Sequence, residues 1–161
     1  TEEQKNLFDY DKRHGWRKPL NYSAQLDPQL FNQLARGNLN ILQQEYSELD
    51  ALGMKQSQFQ FLEKYLINQG FQVIYAEDYP IGDQIKIFKN ASVIVGVHGA
   101  GLTNSVWSTN CKLIEIMPQK RINRCFEWQA NICGQEYNRI YYDEENFSIQ
   151  SIVSDLRDLI D

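Results

Sequence analysis

Nowhere in the 161 residues do about 18 apolar residues run together, so the sequence offers no transmembrane helix. The opening residues, TEEQKN, lack the basic-then-apolar pattern of a signal peptide. Basic residues are in deficit, with 16 Lys and Arg against 21 Asp and Glu, and the formal net charge of -5 argues against a broad nucleic-acid-binding face. Cysteine is scarce too. Cys111, Cys125 and Cys133 are odd in number and show no CxxC spacing, which speaks against a zinc site and a disulfide framework. Internal repeats and low-complexity segments are missing as well. What remains, at 42% hydrophobic and 23% charged residues, is the composition of a globular chain able to bury a core.

From about residue 56 onward, apolar runs alternate with amphipathic segments. Phe59, Leu62 and Leu66 share one face of a helix that Gly70 terminates, and a short strand follows in FQVIY. Pro80 opens a second helix with Ile81, Ile85 and Phe88 on one side. Next come a strand over 92–97, a helix from about 101, a strand in KLIEIM closed by Pro118, a helical segment over 123–133 and a strand in RIYY. Ile149, Ile152, Val153, Leu156 and Leu159 then line one side of a last helix. The repeated β-α-β order predicts an α/β fold, a Rossmann-like parallel sheet with helices on both faces, over residues 56–161. Residues 1–55 read as an N-terminal arm and helical extension. The arm holds the basic cluster KRHGWRK, and DPQLFNQLARG carries Asp27 as N-cap, Pro28 at N1 and Gly37 as a stop, before a second helix expected from about 39 to 52.

The stretch ASVIVGVHGAGLTNSVW, residues 91–107, carries the clearest chemistry. Val93, Ile94, Val95 and Val97 make a buried strand, and Gly96, Gly99 and Gly101 mark positions of positive φ or close backbone approach at its carboxyl end. Strand, glycine loop and helix together form an anion-binding arrangement, because the first N–H groups of a helix lack internal partners and carry the positive end of its dipole. The spacing G-x-x-G-x-G differs from the dinucleotide fingerprint, and no Gly-Lys-Ser/Thr follows. His98 at the strand end can donate to a phosphate oxygen or a sugar hydroxyl, and Thr103 and Asn104 fall in the first helical turn. Glu115 stands inside the apolar strand LIEIM, where a carboxylate must be paired or lie at an edge. One role for it is to accept from ribose hydroxyls; a local salt bridge or surface exposure is the other. The D-x-D spacing of Asp9 and Asp11, which chelates a metal diphosphate in some sugar-transfer enzymes, lies in the polar arm with no apolar strand before it and is set aside. Three Asn-x-Ser sequons, at Asn21, Asn90 and Asn146, point weakly to a secretory lumen.

Residues 70–119, GFQVIYAEDYPIGDQIKIFKNASVIVGVHGAGLTNSVWSTNCKLIEIMPQ, resemble the nucleotide-sugar half of glycosyltransferase family 61. The shared pattern is a Gly-Phe strand, an acidic residue before a Gln-Ile helix, a strand ending in His-Gly-Ala-Gly-Leu-Thr-Asn, and Ile-Glu-Ile-x-Pro. The resemblance implies half of a GT-B architecture that binds a nucleotide diphosphate sugar without an obligatory metal and transfers the sugar to a glycan or protein acceptor. It assigns substrate binding to His98, Gly99, Ala100, Gly101, Leu102, Thr103, Asn104 and Glu115. In that picture the loop amides stabilise the departing nucleoside diphosphate, the charge that develops in sugar transfer. A second domain or a partner chain is expected to complete the site, in the Golgi or endoplasmic reticulum lumen, and the catalytic residues are not assigned. The rival from another class is a non-catalytic descendant that persists as a structural subunit of a larger complex. A third reading is another phosphometabolite binder on a generic α/β domain.

Overall fold

The computed structural model describes residues 39–44, 56–120 and 123–161. The arm with Asp9, Asp11 and KRHGWRK, the sequon at Asn21 and the helix expected after Asp27 lie outside the described residues, as does the side chain of Phe59. In chain order the elements are β1 (Leu39–Gln44), α1 (Gln56–Asn68), β2 (Gln72–Tyr75), α2 (Ile81–Lys89), β3 (Ala91–Val97), a 3-10 segment (Ala100–Trp107), β4 (Lys112–Pro118), α3 (Cys125–Cys133), β5 (Glu136–Tyr142) and α4 (Ile149–Ile160). The five strands are all parallel, in the order β2-β1-β3-β4-β5. The α/β Rossmann-like expectation is met.

Helices cover both faces. On one, α1 and α4 bury Leu62, Leu66, Ile152, Val153 and Leu156 against Leu42, Val95, Ile114, Ile116 and Ile140. On the other, α2, α3 and the 3-10 segment bury Ile87, Phe88, Phe126, Ala130 and Leu102 against Leu39, Ile41, Ile74, Ile94 and Leu113. Two helix ends follow directly from sequence. Gly70 and Gly134 take positive φ of 86° and 70°. At the first, Phe71 N–H donates to Leu66 O at 2.9 Å and Gly70 N–H to Ile67 O at 3.0 Å; at the second, Gln135 N–H donates to Ala130 O at 2.9 Å. Both are Schellman closures, which need a left-handed residue that glycine adopts without a Cβ clash.

Three expectations are corrected. Residues 39–44 form a strand and not the start of a helix, so the sheet begins inside the segment read as an extension. Leu39, Ile41 and Leu42 are all buried because β1 is an interior strand covered on both faces, and such a strand loses the alternation that would distinguish it from a helix. The helix expected from 101 is a 3-10 segment. Helix α2 turns Ile87 and Phe88 inward and leaves Ile81 64% exposed, because Pro80 opens the helix ahead of the part that meets the sheet.

Candidate functional site

In a parallel sheet, paired residues project from the same face, so register places side chains in rows. One row runs Ile74, Gln43, Gly96, Glu115, Arg139 across all five strands on the α2/α3 face. It lies near the carboxyl ends of the strands. The order β2-β1-β3-β4-β5 reverses direction between β1 and β3, and the crevice outside the carboxyl ends at such a switch point is where open α/β sheets bind ligands. The loop that leaves β3 there is His98-Gly99-Ala100-Gly101.

The loop is held from below. A Cβ on Gly96 would stand 2.5 Å from Leu102 Cδ2, so the missing side chain is what lets Leu102 fold down onto β3. Close approach, not positive φ, is the reason for that glycine; Gly99 is extended, at φ 170°. At the far end of the 3-10 segment, Gln135 Nε2 donates to Ser105 O and Ser108 O, both at 2.7 Å, and Gln129 Nε2 donates to Ser105 Oγ at 2.8 Å. Ser108 Oγ donates to Phe88 O. Leu102 is wholly buried and belongs to the core, which anchors the loop and leaves no face of that side chain for a ligand. Thr103 and Ala100 are exposed, and Gly99 and Asn104 are partly so. Gly101 is buried. The amides of Gly99 and Ala100 donate to no described residue.

His98 continues the ladder through its own N–H, which donates to Ile116 O at 2.7 Å. Its ring packs edge-on against Phe126 of α3, with centroids 5.5 Å apart. Nδ1 bonds Glu115 Oε1. Glu115 is wholly buried, and its Oε2 accepts from Tyr137 OH. Arg139 Nε donates to that phenol oxygen at 2.7 Å and stands 3.8 Å from Glu115 Oε2. Of the two roles open to Glu115, the structure therefore shows the buried ion pair, with no carboxylate surface left for a ribose. Burial, and then the bond to Glu115, raise the Tyr137 phenol above its ordinary range, so it keeps its proton.

Tyr137, Arg139 and Tyr141 escaped the reading of the sequence. They alternate along β5, and period two puts all three on the Glu115 face, with Arg139 Nη1 donating to Tyr141 OH at 3.0 Å. The signal was present in EYNRIYY as an arginine between tyrosines two residues either side, but its meaning depends on the register with β4. Gln43 and Gln44 were also missed. Both are buried, and neither amide has a partner among the described residues. Gln43 Oε1 lies 3.3 Å from the Cβ position of Gly96, beside the loop. Buried polar atoms without partners are uncommon and mark places where a ligand or water completes the bonding.

The family model described as Glycosyltransferase 61 matches residues 55–121, from the edge of α1 to just past β4. Over 79 residues the chain is 32% identical to an Arabidopsis thaliana beta-1,2-xylosyltransferase. This part of the chain matches glycosyltransferase family 61. The aligned region covers 48% of this chain and 15% of the length of that relative. His98, its loop and Glu115 fall inside the family 61 match, whereas Tyr137 and Arg139 fall after it. A solved Clostridium botulinum CMP N-glycosidase, BcmB, is also similar, with a TM-score of 0.48 and 11% identity over 73% of this chain and 98% of that one.

Among the described residues no helix is long and apolar enough to cross a membrane, and no group of three or more His, Cys, Asp or Glu side chains is arranged to hold a metal.

Proposed function

We propose that this family 61 domain binds the nucleotide diphosphate sugar of a glycosyltransferase at the loop His98–Asn104, with no metal required of this chain. The observation that carries the reading is the position of the loop: carboxyl end of β3, at the switch point, inside the family match, with two amides that donate to no described residue. The diphosphate would lie over the amides of Gly99 and Ala100, where backbone donors hold developing charge without reorganising. Thr103 and Asn104 supply neutral donors at the rim, and the amide of Gln43, which has no partner among the described residues, adds a paired donor and acceptor beside Gly96. Transfer to a glycan or protein acceptor in a secretory lumen, with a second domain or partner chain supplying the acceptor side, completes the proposal.

A thermal-shift screen against uridine, guanosine and cytidine diphosphate sugars, with NAD as control, tests it in wild type and His98→Ala. Ligand at ten times its Kd adds about 1.4 kcal/mol, or roughly 3 to 6 °C for a chain of this size. A shift with one nucleotide sugar, unaffected by a chelator and lost in His98→Ala, is the expected result. No shift with any of them at millimolar concentration refutes donor binding and leaves the chain a non-catalytic subunit.

A further inference from the structure

We infer that Glu115, Tyr137 and Arg139 are positioning residues that fix the imidazole of His98 in one tautomer, with the proton on Nδ1, so that Nε2 is the atom offered to the ligand. The significance for binding rests on the donor-site reading above; the tautomer itself does not.

The network has a direction. Arg139 Nε–H donates to Tyr137 O, Tyr137 O–H donates to Glu115 Oε2, and Glu115 Oε1 faces His98 Nδ1. A carboxylate offers only acceptors, so the proton in the last bond belongs to Nδ1. The same logic orients histidines that ligate metals or serve as general bases: a carboxylate on one ring nitrogen dictates what the other presents. Burial strengthens the constraint. Glu115 is fully buried and His98 is 9% exposed, so neither group can exchange its partner for water without moving the strand end. Phe126 closes the ring's flank. Nε2 bonds to no described residue and is not sealed from solvent, so it is the ring nitrogen left for a ligand. Arg139 is itself fixed from four sides: Nη1 donates to Tyr141 OH, Nη2 donates to Asn123 O at 3.2 Å, Glu127 Oε2 lies 3.6 Å from Nη2, and the guanidinium sits 5.3 Å from the Tyr137 ring centroid. The reach of this clamp into β5 gives the last strand a reason to carry tyrosine and arginine on that face.

The test is long-range nitrogen–proton NMR on the unliganded chain labelled at histidine. Only two histidines are present, His14 and His98, and the spectrum of His98→Ala assigns them. Wild type is expected to hold the Nδ1–H tautomer at His98 by about tenfold or more over the other. Glu115→Gln, whose amide can donate as well as accept, is expected to bring the two tautomers within about threefold of each other while circular dichroism stays native. Should Glu115→Gln fail to fold, Tyr137→Phe removes one bond to the carboxylate, and the Nδ1–H resonance is expected to move. A wild-type proton on Nε2, a folded Glu115→Gln with the wild-type tautomer, or an unmoved Nδ1–H in Tyr137→Phe overturns the inference. Because no ligand is present, a failed donor screen leaves this result intact, and the reverse also holds.

Discussion

The two faces of the sheet are built from the same strands one residue out of step. Along β3 and β4, Val95, Val97, Ile114 and Ile116 point to the α1/α4 face and join an apolar core. Their neighbours Gly96, His98 and Glu115 point the other way, into a polar row under the β3 loop. The amino half of that second face is as apolar as the first, with Leu39, Ile41, Ile94 and Leu113 buried. The hydrogen-bonded polar network is thus confined to one quadrant of the sheet, one face and one end, while Gln44 is a buried polar side chain on the opposite face. Apolar packing dominates the rest of the sheet and the His98 network occupies this quadrant, so a step of one residue along a strand moves from one to the other.

That division can be broken in graded ways. The largest effect is expected from Ile116→Ala on the apolar face, where removing a wholly buried side chain costs about 2 to 5 kcal/mol of folding free energy. Chemical denaturation measures it, and the folded fraction should still respond to nucleotide sugar. A loss below 1 kcal/mol would mean that this face is not the principal core. Gly96→Ala comes next. The added methyl meets Leu102 on the polar face, with an expected cost of about 1 to 3 kcal/mol. Unlike Ile116→Ala, it should also abolish the ligand shift, since the displaced residue anchors the loop. Retention of the shift would show that Leu102 does not set the loop geometry.

The smallest effect belongs to the amino end of the polar face, at Cys111. Burial pushes this thiol up from 9.0 to about 11, with a smaller opposing contribution from Ser108. The folded chain therefore holds a proton that the unfolded chain releases. A raised pKa contributes stability that is complete below 9.0 and is lost as pH rises through about 11. Denaturation midpoints should fall across that interval in wild type and fall less in Cys111→Ala. Equal slopes would place the thiol in contact with water.

Much of this arrangement is legible in the residues themselves. Gly70 and Gly134 punctuate helices by the conformation they alone take easily, and the apolar stripe of α4 predicts its buried side residue by residue. The glycine loop after β3 is visible for the same local reason. Other features are not local. LNILQQ reads as helix or strand equally well, because an interior strand is apolar on both sides. The 3-10 segment is held by Gln129 and Gln135, which bond the Ser105 hydroxyl and the Ser105 and Ser108 carbonyls from 24 or more residues away in the chain.

The sequence by itself determined the alternation of elements, the parallel α/β class and the place of the His98 loop at a strand end. Hydrophobic period and glycine positions act within a few residues, so a single segment carries them. Only the tertiary structure decided which residues meet. That Glu115 serves His98, that Tyr137 and Arg139 serve Glu115, and that Gln43 shares a row with them are consequences of strand order and register. A shift of one residue in any strand would turn each of these side chains to the opposite face, and that register is fixed by burying both faces of the whole sheet at once.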